Sequence, residues 1–119
     1  MTPSAFVDAL KSEVRDAAAT DTIAQIKTPS GRRPPEAIRK LSEWFNQLSE
    51  SDQQAVAEVA SMTAHSAVFG FLCVLDGVRV IEDGEQKGEL ELSYVQAGEA
   101  SIRLNPTSGD PLHDLLNAQ

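Results

Sequence analysis

The chain has a single cysteine, Cys73, so no disulfide can form within it. Cys73 lies in the apolar run Phe71-Leu72-Cys73-Val74-Leu75. No cation or base stands beside it in sequence to activate the thiol, and it reads as a small buried hydrophobe. Aromatic residues are scarce, at 5%. That predicts a mainly aliphatic core with Phe6, Trp44, Phe45, Phe69, Phe71 and Tyr94 as its large pieces. No long hydrophobic run stands out. The longest strongly apolar stretch, Ala67 to Leu75, is broken by Gly70 and falls short of the roughly 20 residues that cross a bilayer. The N-terminus, Met1-Thr2-Pro3-Ser4-Ala5-Phe6, has neither the basic nor the apolar region of a secretory leader. A cytoplasmic protein without a membrane partner is expected.

Chemical motifs are also missing. The two histidines, His65 and His113, are far apart, and neither has a ligand at metal-binding spacing. Asp83-Gly84-Glu85 does not follow a calcium-loop pattern. There is no Gly-x-Ser-x-Gly elbow. No catalytic residue, metal or cofactor is expected.

What is present is an uneven charge. Of a net −8, residues 1–49 contribute seven Lys/Arg against six Asp/Glu, and residues 50–119 contribute three against twelve. Such a second half repels a nucleic-acid backbone, so no nucleic-acid partner is expected. The densest part holds Asp76, Glu82, Asp83, Glu85, Glu89 and Glu91 against Arg79 and Lys87. It reads either as a solvated face that keeps the chain soluble or as a docking surface for a basic protein. Glu82, Asp83, Glu85, Glu89 and Glu91 are the candidate partner-binding residues. A second candidate is the loop Thr28-Pro29-Ser30-Gly31-Arg32-Arg33-Pro34-Pro35. Here Arg32 and Arg33 precede a helix N-terminus, where anions bind favourably. The loop lacks the glycines and lysine of a phosphate loop, and a flexible basic linker is the competing reading.

Periodicity and capping signals predict the elements. Thr2-Pro3 reads as N-cap and first helical residue of a helix over about residues 3–19, with Phe6, Leu10, Val14 and Ala17 on one face. Asp21 is positioned to cap a further short turn. Pro34-Pro35 leads into a second helix with an apolar stripe of Ile38, Leu41, Phe45 and Leu48, widened by Trp44. Ser51-Asp52-Gln53-Gln54 matches a capping box, opening a long third helix that Asp76-Gly77 stops. A strand over Phe69–Val74 is the rival reading, and helix is preferred because only Gly70 interrupts the pattern. Leu90, Leu92 and Tyr94 alternate with Glu89, Glu91 and Ser93, and Ala100, Ile102 and Leu104 with Ser101, Arg103 and Asn105. These read as an antiparallel hairpin with one apolar and one polar face. Asp110-Pro111 reads as the start of a short terminal helix. The expectation is a single α+β domain over 1–119: three main helices, a C-terminal antiparallel β-hairpin and a short terminal helix. By size scaling, such a chain exposes roughly 6,300 Å² when folded, burying about two thirds of its unfolded surface.

The segments Val74–Glu82, Gly88–Tyr94 and Leu112–Asn117 together resemble small uncharacterised bacterial proteins. They also have the general look of toxin-neutralising immunity proteins, which are often small, acidic and α+β. The resemblance covers about the last 45 residues and carries no functional residue over. The charge of residues 50–119 points to a non-enzymatic interaction protein with a basic partner, and the resemblance implies a toxin as one identity for that partner. The alternatives are a small-molecule-binding protein or small enzyme with a pocket between helices and hairpin, where His65, Cys73, Tyr94 and His113 are the groups to inspect, and a homodimer paired through the hairpin.

Overall fold

The computed structural model describes residues 1–118. The fold is α+β, with three main helical stretches, a two-stranded antiparallel sheet and a short C-terminal helix. The first stretch joins α1 (Pro3–Leu10), a π-helical segment (Lys11–Asp16) and α2 (Ala17–Lys27) without a break. The second is α3 (Glu36–Asn46) and the third α4 (Glu50–Leu75). Strands β1 (Ser93–Tyr94) and β2 (Ile102–Arg103) follow, then α5 (Leu112–Asn117). Phe69–Val74 is helical, within α4.

The chain divides into two compact units. One comprises Met1–Val14 and the residues from Ser66 onward, and the other is Arg15–His65. Charge follows this division. The first unit carries eleven Asp/Glu against four Lys/Arg, the second seven against six.

In the first unit, Val7, Leu72, Leu112 and Leu116 form the buried centre, with Phe6, Leu10, Val68, Phe69, Leu75 and Leu115 packed around it. Helix α1 starts where sequence places it: the Thr2 hydroxyl accepts from the Ala5 N–H at 3.0 Å, and Pro3 needs no partner there. Helix α4 ends in a Schellman turn. Val78 N–H donates to the Cys73 carbonyl at 3.0 Å, Gly77 N–H to Val74 at 3.1 Å, and Gly77 takes φ +76°.

In the second unit α2 packs on α3, with Ala19, Ser42 and Phe45 buried. The first helix does not end near residue 19 but continues to Lys27, through a π segment that inserts an extra residue and rotates the following side chains. Val14 lies in that segment and is exposed, although even helical spacing puts it on the apolar face. Leu41 and Trp44 are likewise exposed on α3. The α4 cap is Ser49, not Ser51. Its hydroxyl accepts from the Asp52 N–H at 3.2 Å, so the helix begins two residues earlier than the Ser51 box implies.

Side-chain amides close all three long helical stretches. Asn46 Nδ2 donates to the Lys27 carbonyl at 3.1 Å, Gln53 Nε2 to Phe45 at 3.0 Å, and Asn105 Nδ2 to Leu75 at 2.7 Å. Each carbonyl belongs to a last turn, and that of Phe45 also accepts from the Leu48 N–H at 3.1 Å.

Eight apolar residues are buried among the described residues, while large side chains including Val59, Met62, Phe71, Val80 and Ile81 stand exposed.

Candidate functional site

The C-terminal end of α4 launches the acidic segment and fixes its base. Asp76, the first acid of the run, is not part of a free face. Its side chain is 4% exposed, and Oδ2 accepts from the His113 N–H at 2.9 Å and from His113 Nδ1 at 2.7 Å. Helix α5 has Pro111, not Asp110, at its N-cap position and no cap from its own side chains. Asp76 supplies the missing acceptor at the positive end of that helix. The His113 ring meets Phe69 edge-on at 5.7 Å between centroids, and its Nε2 lies 3.4 Å from Asp114.

Beyond Gly77 the chain runs to Leu92 without helix or strand, and every residue from 77 to 91 is exposed. Glu82, Asp83, Glu85, Glu89 and Glu91 are therefore all at the surface. Among the described residues two have internal partners: Glu82 accepts from the Gly88 N–H at 3.1 Å, closing the turn, and Glu91 lies 3.4 Å from Arg103. The hairpin ladder itself is shorter than alternation predicts. It pairs Ser93 with Arg103 and Tyr94 with Ile102, with one more bond from Leu104 N–H to the Leu92 carbonyl at 2.7 Å.

Asn105 explains how so short a ladder holds. Alternation puts it on the polar face, yet it is buried. Its Oδ1 accepts from the Leu92 N–H at 2.8 Å, and its Nδ2 donates to the Leu90 carbonyl at 2.7 Å as well as to Leu75. One carboxamide thus replaces two ladder bonds and ties the hairpin to the end of α4. Its signal in the sequence is faint: a carboxamide at the last strand position, just before Pro106.

These parts enclose an open groove of about 870 Å³. It is lined by the end of α4, by the Val78–Glu82 and Lys87–Leu90 stretches, and by Arg103 and Asn105–Thr107. Val78, Val80 and Ile81 are 61%, 66% and 69% exposed. Arg79 folds back over Gly70 of α4. Glu82 and Glu89 border the groove.

Other sequence candidates lie apart from this groove. Arg32 and Arg33 are exposed in the loop before α3 and form no ion pair among the described residues. Helix α3 begins with Pro35 at its N-cap and Glu36 in its first turn. That carboxylate competes with any anion for the same positive end. Among the described residues, His65, Cys73, Tyr94 and His113 do not line the groove. Cys73 is buried in α4, Tyr94 belongs to β1, and His65 falls in the Arg15–His65 unit, 3.5 Å from Arg15. Among the described residues, no three His, Cys, Asp or Glu side chains gather as a metal site.

Helix α4 as a whole is long and apolar enough to cross a membrane by length and composition, with 17% of its most apolar window buried. The Ala67–Leu75 run alone understates this, because the alanines, valines and Met62 before it extend the apolar composition without forming an unbroken run. The core helix of a soluble protein meets the same two criteria.

No protein family, curated protein or solved structure matches this chain.

Proposed function

We propose that this chain is a non-enzymatic interaction protein that binds a basic protein partner through segment 82–91. The carrying observation is that Glu82, Asp83, Glu85, Glu89 and Glu91 all stand at the surface within ten residues, with Lys87 the one cation among them. Clustered exposed charge steers an oppositely charged partner and raises its on-rate more than it slows its departure. A toxin-neutralising immunity protein is one concrete form of such an interaction protein.

The test replaces Glu82, Asp83, Glu85 and Glu89 with their amides and measures association with a peptide of alternating lysine and serine. At low salt the on-rate should fall about tenfold, and the steep salt dependence should flatten. If on-rate and affinity are unchanged, the reading fails.

The groove favours a second reading, a small-ligand protein, because its volume of about 870 Å³ falls within the range of about 300–1,000 Å³ occupied by ligand sites. A small ligand that raises the melting temperature of the parent chain, with the rise lost on Leu90→Lys, would support that reading over the first.

A further inference from the structure

Exposed acids alone make a poor anchor. Surface ion pairs contribute little net affinity and are screened by salt. In interfaces that last, the binding energy concentrates in a few desolvated apolar side chains ringed by polar ones. Such a pattern adjoins the acidic segment. Val78, Val80 and Ile81 are each more than 60% exposed and line the groove with the acids Glu82 and Glu89 and the cations Arg79, Lys87 and Arg103, of which Arg103 faces Glu91 and Arg79 lies over Gly70. Leu90 adds an exposed apolar side chain to the same lining. Apolar side chains left in water at this density, rimmed by charge, mark an interaction site.

The adjoining segment, five acids against Lys87, decides what covers them, since the lining of the groove itself is balanced between Glu82 and Glu89 and its cations. A second copy of this chain would set five acids against five, and like charges face to face oppose association. Anionic lipid surfaces and nucleic acid are repelled by the same field. The complementary occupant is a protein segment that carries lysines or arginines with apolar residues between them. Resting on the reading of segment 82–91 as a basic-partner surface, we propose that the groove seats an apolar side chain of that partner against Val80 and Ile81, while Glu82 and Glu89 hold the flanking cations.

The experiment uses the whole chain and three fluorescent peptides: alternating lysine and leucine, alternating lysine and serine, and alternating glutamate and leucine. Binding is read by anisotropy at physiological salt, for the parent and for Val80→Ser/Ile81→Ser. Both positions are exposed and outside any helix or strand, so the variant should keep the parent's circular dichroism, which is checked first. The parent should bind the lysine–leucine peptide about tenfold more tightly than the lysine–serine peptide and should not bind the glutamate–leucine peptide. The variant should lose that preference, with its lysine–serine affinity unchanged. If the preference survives in the variant, the apolar seat is elsewhere and the proposal fails, while the acidic reading stands. If neither lysine peptide binds better than the glutamate peptide, the acidic reading itself fails, and this proposal with it.

Discussion

Asp76 and Glu82 belong to one acidic run, yet their surroundings set them opposite tasks. Asp76 is almost wholly buried and accepts both its hydrogen bonds from His113. Glu82, Asp83, Glu85 and Glu89 are exposed, and among the described residues only Glu82 of these four has an internal partner, the Gly88 N–H. The first acid holds the fold together, and the others have little to do inside it. A dense charge cluster is therefore not one feature. It divides where the chain leaves the Schellman turn at Gly77, because only the residue at the turn can reach the start of α5.

The most damaging change to the ordered side of this comparison should be Asn105→Leu. Leucine fits a buried site but leaves the Leu75 and Leu90 carbonyls and the Leu92 N–H without the partner they have now. Each stranded group costs about 1–3 kcal/mol, and the three are not additive. A total loss of about 3 kcal/mol is expected. The urea midpoint measures it, with an unchanged m-value showing that the native state still forms. A loss within about 0.5 kcal/mol would mean that Asn105 does not hold the hairpin to α4.

Asp76→Asn should come next. The amide keeps an acceptor for the His113 N–H but loses the charge that strengthens both bonds. About 1.5 kcal/mol of destabilisation is expected in the same urea assay. An unchanged midpoint would place the capping of α5 elsewhere.

A smaller effect probes how Arg79 is held at the border of the two regions. A Cβ at Gly70 would collide with Nη1 of Arg79 and approach its Cζ at 3.3 Å. Alanine is favoured over glycine within a helix by about 0.8 kcal/mol. In the Arg79→Ala background, Gly70→Ala should stabilise by about that amount. In the parent, displacement of the guanidinium should offset most of the gain. Equal effects in the two backgrounds would show that Arg79 does not rest on Gly70.

Much of the fold was legible because local chemistry and tertiary structure agree. Thr2-Pro3 caps α1, Gly77 stops α4, and the two strands pair antiparallel as the alternation suggests. The differences have separate causes: a change of helical phase, two serines competing for one cap, and a side chain with a partner distant in sequence. The π segment moved Val14 off the apolar face. Ser49 took the cap that Ser51 also fits. Asn105 looked like an outward polar residue because alternation knows only faces, and the bare carbonyl of Leu75 that draws it inward lies thirty positions away. The candidate site was legible only in part. Glu82, Asp83, Glu85, Glu89 and Glu91 are exposed as their sequence suggests, but Leu90, on the apolar face by alternation, is exposed and outside the strand, and the groove beside them needs three separate stretches of chain to meet.

The division of the acidic run is tested most directly by unfolding two variants side by side in urea: Asp76→Asn alone, and Glu82→Gln/Asp83→Asn/Glu85→Gln/Glu89→Gln together. One buried acid should outweigh four exposed ones. The single variant should lose about 1.5 kcal/mol, and the fourfold variant should stay within about 0.5 kcal/mol of the parent. A fourfold variant that unfolds earlier than Asp76→Asn would contradict the account, because the acids assigned to a partner would then be holding the chain's own fold.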